Sequence, residues 1–253
     1  MTRLAVIGGT GLDQLDSLHI SRRETLTTPY GEPSAPLSYG ELNGHALIFL
    51  PRHGDAHHLP PHRINYRANL WALQQAGVEQ IIAIAAVGGI SAQMIPGSLA
   101  LPDQIIDYTY GREHTFFDGQ HTTAAGLQVE HIDFTQPYCE TLRQRLLAAA
   151  RTSNIDLTAQ AVYGATQGPR LESSAEIHRM ARDGCDVVGM TGMPEAALAR
   201  ELGLCYAACA VVVNWAAGLT AEPITMDEIG RHLVTGMAQV KQLLEAVTHN
   251  TGH

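Results

Sequence analysis

Short apolar runs alternate along this chain with longer stretches whose apolar residues recur every three to four positions. Leu4–Ile7 is a compact apolar run that stops at Gly8-Gly9-Thr10-Gly11, which predicts a strand feeding a tight turn. His45–Leu50 reads as a second strand, closed by Pro51. Residues 51–62 are dense in Pro and His and predict a loop. Arg63–Gln75 has Ile64, Ala68 and Trp71 at helical spacing and ends at Gly77. Ile81–Val87 is apolar throughout, as in a strand buried on both faces. Leu99–Ile106 predicts another strand after the Pro96-Gly97 turn, and residues 107–131 a long loop.

The second half repeats the alternation. Thr135–Arg151 predicts a helix, Leu157–Tyr163 a strand, Gly164–Arg170 a loop and Glu172–Arg182 a helix. Asp186–Met190 follows as a strand, Pro194–Leu202 as a helix, and Leu204–Val213 as a buried strand. A last helix opens on Thr225 with Glu228 three residues on, a capping box. Its apolar stripe runs through Ile229, Leu233, Met237, Val240, Leu244 and Val247. Strands alternating with helices predict an α/β fold with a central mixed, mostly parallel twisted sheet flanked by helices. No linker or repeat divides the chain, so residues 1–253 are read as one domain.

Composition narrows the partners. Of 253 residues, 45% are hydrophobic and 16% charged, enough apolar content for a sizeable core. Sixteen Lys and Arg stand against 25 Asp and Glu, a formal charge of −9. That balance argues against nucleic acid or an anionic membrane as partner, while leaving room for one small anion site. No apolar run approaches the roughly 20 residues of a membrane span. The four cysteines, Cys139, Cys185, Cys205 and Cys209, form no C-x-x-C, and a chain of this size needs no disulfide. A reducing cytoplasm is the expected compartment.

Candidate chemistry clusters just after the predicted strands, where open α/β sheets bind ligands. Gly8–Gly11 fails as a dinucleotide fingerprint because Gln14 stands where a third glycine belongs. It suits a turn, or a grip on one phosphate with the Thr10 hydroxyl. Arg52-His53 offers a planar fork and an imidazole to the same anion, though taken alone it is a solvated loop pair. His53, His57, His58 and His62 are dense enough to suggest a metal, but Pro60 and Pro61 disfavour a shared helix face and no Cys or carboxylate partner is spaced for it. Met190-Thr191 and Asn214 end strands; their plain alternatives are a helix cap and a turn. Glu172 is most simply an acid at a helix start. Neither G-x-S-x-G nor a Walker loop occurs.

In order, the segments AVIGGTGL (5–12), LPRHG (50–54), INYRANLWAL (64–73), AAVGGI (85–90), FFDG (116–119), GPRLES (168–173), DVVGMTGMPEAALARELGLCYA (186–207) and VVVNW (211–215) resemble the trimeric purine nucleoside phosphorylases and their methylthioadenosine branch. The resemblance implies one α/β domain in which inorganic phosphate, as co-substrate, attacks the anomeric carbon of a purine nucleoside without metal or organic cofactor. It implies Thr10, Arg52, His53, Ala85, Ala86 and Thr191 around phosphate. Met190 would lie against ribose. Glu172, Leu171, Asn214, Trp215 and Ala216 would surround the purine, with Asn214 the catalytic stabiliser of the leaving base. A homotrimer or a dimer of trimers is implied, with His131 reaching a neighbour's site.

The base and sugar ends point to different branches. Where the methylthioadenosine branch carries Asp at positions matching 214 and 216, this chain has Asn214 and Ala216. An amide offers both a donor and an acceptor, suiting a 6-oxo group and an arriving N7 proton. Glu172 accepts the N1–H of a 6-oxopurine, and Gly189 also resembles that branch. Met226 stands where the ordinary enzymes place a His near the 5′-hydroxyl, and a thioether suits Met better. Together these imply 5′-methylthioinosine, cleaved to hypoxanthine and 5-methylthioribose 1-phosphate. Ala85 replaces a common Thr, and Leu171 a common aromatic. The alternatives are methylthioadenosine phosphorolysis, a general inosine and guanosine phosphorylase, a silent nucleoside-binding relative and, furthest, a Rossmann-type dinucleotide binder.

Overall fold

The structure is a computed structural model that describes residues 3–9, 18–121 and 129–249. Its centre is a mixed sheet built on five nearly continuous apolar segments. These are β1 (Leu4–Gly8), β4 (His45–Pro51), β5 (Gln80–Gly89), β10 (Val187–Gly189) and β11 (Cys205–Trp215). β1 lies parallel to β4 on one side and β5 on the other. β11 lies parallel along the whole of β5. Two strands that the sequence reading passed over, β2 (Leu18–Glu24) and β3 (Leu37–Leu42), extend the sheet antiparallel beyond β4. Their residues carry charges on the exposed side and little apolar alternation.

Two expected strands are interrupted. Leu99–Ile106 divides into β6 (Leu99–Ala100) and β7 (Gln104–Asp107), with Pro102 between them unable to donate to a ladder. Leu157–Tyr163 divides into β8 (Leu157–Thr158) and β9 (Val162–Ala165). β7 pairs parallel with β9, and β9 with β10. The sheet order β2-β3-β4-β1-β5-β10-β9-β7, with β11, β6 and β8 branching from β5, confirms the mixed, mostly parallel α/β class.

Alternate residues of β1 face opposite layers. Ala5 and Ile7 join Leu50, Leu70 and Leu73 under helices α1 (Tyr66–Gln75) and α4 (Gly192–Glu201). Leu4 and Val6 join Phe49, Ile82 and Val211 under α2 (Glu140–Thr152) and α5 (Met226–His249). α1 starts later than expected, at an Asn65 cap that accepts from Ala68 N, because Pro61–Arg63 forms a 3-10 turn. α2 starts at Glu140 rather than Thr135. α3 (Ser174–Arg182) opens on a Ser173–Glu176 capping box. At α5 the Thr225 hydroxyl accepts from Glu228 N as expected.

The cysteine expectation is corrected. Cys139 and Cys205 form a disulfide that ties the start of α2 to the start of β11. The two lie 66 residues apart in sequence but side by side, since Cys139 N also donates to the Tyr206 carbonyl at 2.8 Å. Cys185 and Cys209 are buried thiols. Among the described residues no helix is long and apolar enough to cross a membrane.

Candidate active site

One edge of β5 changes partner midway. Pairing with β1 stops at Ala83, and pairing with antiparallel β10 begins at Gly88. β10 then runs back toward the intervening stretch and delivers Met190 and Thr191 beside it. The ends of β1, β4 and β11 reach the same place, and a cavity of about 550 Å³ opens there.

Five of the six residues expected around phosphate line this cavity: Arg52, His53, Ala85, Ala86 and Thr191. Thr10 lies outside the described residues. Ala86 is exposed in the middle of a strand, as the break in pairing requires. Thr191 stands at the N-cap of α4, yet its hydroxyl makes no capping bond, so the capping explanation for this residue fails. Its backbone N–H instead donates to the Tyr163 hydroxyl at 3.4 Å.

Arg52 is only 2% exposed and is held before any anion arrives. Its Nε and Nη2 donate to the two carboxylate oxygens of Glu195 at 2.6 and 2.8 Å, and Nη1 donates to the Ile84 carbonyl at 2.9 Å. Burial by itself would favour the uncharged form, but Glu195 outweighs it and holds the guanidinium more firmly protonated than usual. The Tyr206 hydroxyl also donates to Glu195, at 2.8 Å. Glu195 was not singled out from the sequence. Its signal was an acid inside the otherwise apolar run Gly192–Leu198.

His53 offers the cavity an acceptor where Arg52 offers donors. Its Nδ1 lies 2.8 Å from the Leu59 carbonyl, which can only accept, so Nδ1 carries the hydrogen. Burial foremost, aided by neighbouring Arg52 and opposed by the Leu59 bond, lowers its pKa to about 4. The neutral ring therefore leaves Nε2 as an acceptor. That side of the ring faces Gly9, just past β1, where a Cβ would stand 3.4 Å from His53 Cδ2. The His57 ring lies against that of His53, tilted by 39° with ring centroids 4.7 Å apart. Among the described residues no group of three or more His, Cys, Asp or Glu side chains is placed to hold a metal.

The remaining lining is split by chemistry. Glu172 and Asn214 give it polar groups, and Leu171, Met190 and Ala216 apolar ones. Asn214 Nδ2 donates to the Trp215 carbonyl at 2.6 Å, which leaves Oδ1 and one N–H unused by that bond. Trp215 itself does not line the cavity, a correction to its expected place; only its carbonyl, through the Asn214 bond, touches the lining. Along β11 the register slips by one between Val212 and Asn214. The slip lets the sequence neighbours Val213 and Asn214 both reach the cavity. Met226 lines the mouth, 77% exposed, and continues into Ile229, Leu233 and Met237 on one face of α5. His131 is exposed and does not line its own chain's cavity.

Arg112, also missed in the sequence, ties the segment after β9 to the segment after β10. Nη2 donates to the carbonyls of Thr166 and Gln167 at 3.1 and 2.8 Å, and Nη1 to those of Met190 and Met193. Between these loops Gly168 sits at φ +59°, where a Cβ would meet Met190 Sδ at 2.4 Å, so only glycine permits this approach.

The family described as the phosphorylase superfamily matches residues 3–249. The chain belongs to the phosphorylase superfamily. Among the relatives of this phosphorylase, a probable S-methyl-5′-thioinosine phosphorylase of Pseudomonas syringae pv. tomato is 53% identical over 247 residues, 98% of each chain. The 6-oxopurine nucleoside phosphorylase of Pyrococcus furiosus is 45% identical over 229 residues, 90% of this chain and 85% of that one. A solved methylthioadenosine phosphorylase from Schistosoma mansoni, in complex with adenine, superposes with a TM-score of 0.92 at 31% identity. That match covers 100% of this chain and 92% of the other. This phosphorylase is thus an enzyme of the purine nucleoside phosphorylase type.

Proposed function

We propose that this phosphorylase cleaves 5′-methylthioinosine with inorganic phosphate, giving hypoxanthine and 5-methylthioribose 1-phosphate. The observation that carries the reading is one cavity whose lining brings Glu172 and Asn214 together with the apolar group Met226, Ile229, Leu233 and Met237. The first pair matches the N1–H, O6 and N7 of a 6-oxopurine, and the apolar group a thioether. The names carried by the Pseudomonas syringae and Pyrococcus furiosus relatives agree on the 6-oxo base.

A phosphate oxygen forms the new bond to C1′ while the C1′–N9 bond breaks and its electron pair passes to the purine. Asn214 stabilises that charge: its Oδ1 accepts the proton arriving on N7, and its remaining N–H donates to O6. Glu172 accepts from N1–H. Arg52, aligned by Glu195, and the hydroxyls of Thr191 and Thr10 hold phosphate below the sugar, with Ala85 and Ala86 offering backbone. Neutral His53 accepts a phosphate hydroxyl at Nε2. Met190 packs on the ribose and Leu171 on the base. The co-substrate is phosphate, and neither metal nor organic cofactor takes part.

The working unit is proposed to be a homotrimer, or a dimer of trimers, with His131 of the partner subunit completing the open side of each cavity. Size-exclusion chromatography with light scattering checks this; a monomer would count against it. The chemistry is tested by phosphate-dependent base release from 5′-methylthioinosine, 5′-methylthioadenosine, inosine and adenosine in parallel. Preference for the first is expected. Equal or better use of methylthioadenosine would refute the base reading.

A further inference from the structure

Glu172 faces the substrate cavity on one side and Thr166 on the other. The Thr166 hydroxyl lies 2.7 Å from Glu172 Oε1 and 3.3 Å from the Gly189 carbonyl. It has one hydrogen to give, and the nearer, charged carboxylate takes it. The Thr166 backbone is held in place. Its N–H donates to the Gly189 carbonyl at 2.8 Å, its own carbonyl accepts from Arg112, and the residue is 8% exposed. It does not line the substrate cavity. It lines a separate cavity of about 450 Å³ on the far side of Glu172, together with Arg170 and Arg179.

We infer that Thr166 is a positioning residue for base specificity: by occupying Oε1 of Glu172 it leaves Oε2 as the one oxygen offered to the purine. This rests on the reading that Glu172 meets N1 of the base. A carboxylate pinned in this way is an acceptor with a fixed direction. It matches the N1–H of a 6-oxopurine and opposes the N1 lone pair of a 6-aminopurine. Released from the hydroxyl, the same carboxylate is free to turn toward Arg170 and Arg179, and its opposition to the amino base is lost along with its bond to the oxo base. Thr166 touches no substrate atom, so its influence passes entirely through Glu172.

The test is a double-mutant cycle on kcat/KM for 5′-methylthioinosine and 5′-methylthioadenosine. It uses Thr166→Val, Glu172→Gln, the pair together, and Thr166→Ser as the conservative rescue. Thr166→Val is expected to lower the preference for the 6-oxo substrate by about tenfold, chiefly through KM, as loss of a hydrogen bond to a charged group predicts. Thr166→Ser restores it, and in the Glu172→Gln background the Val change moves the ratio by less than about twofold. Should the Val protein not fold, Thr166→Ala reads the same quantity. If Glu172→Gln collapses the preference but removal of the hydroxyl does not, the inference is overturned. It is equally overturned if the Val effect persists undiminished in the Gln background. If Glu172→Gln itself leaves the preference intact, Glu172 does not read the base, and the reading beneath the inference falls with it.

Discussion

Arg52 and Glu195 lie 143 residues apart in sequence and form a two-pronged ion pair with both side chains buried, at 2.6 and 2.8 Å. The pair fixes the plane of the guanidinium at the floor of the cavity. Its remaining N–H groups can then meet an anion without first losing rotational freedom.

Replacing Glu195 by Gln leaves a buried guanidinium without its counter-charge. Breaking one side of such a pair costs about 3–5 kcal/mol. The variant is expected to melt well below the parent in calorimetry. Its KM for phosphate should rise more than its KM for nucleoside, because Arg52 loses its alignment. Equal effects on both would show that the pair serves the fold alone.

His53 sets a pH dependence of stability. Its folded pKa, about 4, lies below the ordinary histidine value of 6.5, so between these values the unfolded chain binds more protons than the folded one. Stability contributed by the neutral ring is present above pH 6.5 and is lost as pH falls toward 4. Melting temperature measured across pH 4–7 should drop on the acid side, and His53→Gln should flatten that part of the curve.

Asn214 carries the leaving-group argument. Asn214→Ala is expected to reduce kcat by about 10²–10³, the usual cost of removing one donor or acceptor from developing charge. Asn214→Asp should move preference toward the 6-amino nucleoside. Single-turnover kinetics with both substrates separates this loss from slow product release.

The Cys139–Cys205 link closes a loop of 66 residues. Chain entropy predicts about 4 kcal/mol for such a loop, or roughly 10 °C in a chain of this size. Heating with and without a phosphine reductant should show that gap, and Cys205→Ser should abolish it.

The strands that build the site were legible because each is buried on both faces and reads as an unbroken apolar run: β1, β4, β5 and β11 stood within two residues of their expected bounds. β2 and β3 were not, since an outer pair with charged residues such as Arg22, Arg23 and Glu41 carries no such signal. Residues that end a strand, such as Arg52, Met190 and Asn214, were found by position. Residues that work from behind were missed. Glu195 and Arg112 sit within helix and loop sequence, and only the fold brings Glu195 to Arg52 and Arg112 to Thr166 and Met190. The Cys pair was missed because nothing in its spacing signals adjacency.

The register slip in β11 has its own consequence. Upstream of it each residue of β11 is matched to one on β5, from Cys205 opposite Gln80 to Val212 opposite Val87; then Asn214, not Val213, meets Gly88. Where Asn214 sits is therefore a matter of chain length more than of side-chain identity. Exchanging Val213 for another apolar residue keeps the amide in the cavity. Deleting it would leave Asn214 opposite Gly88 but remove the bulge that lets two consecutive side chains reach the cavity, re-aiming the amide that receives the departing base.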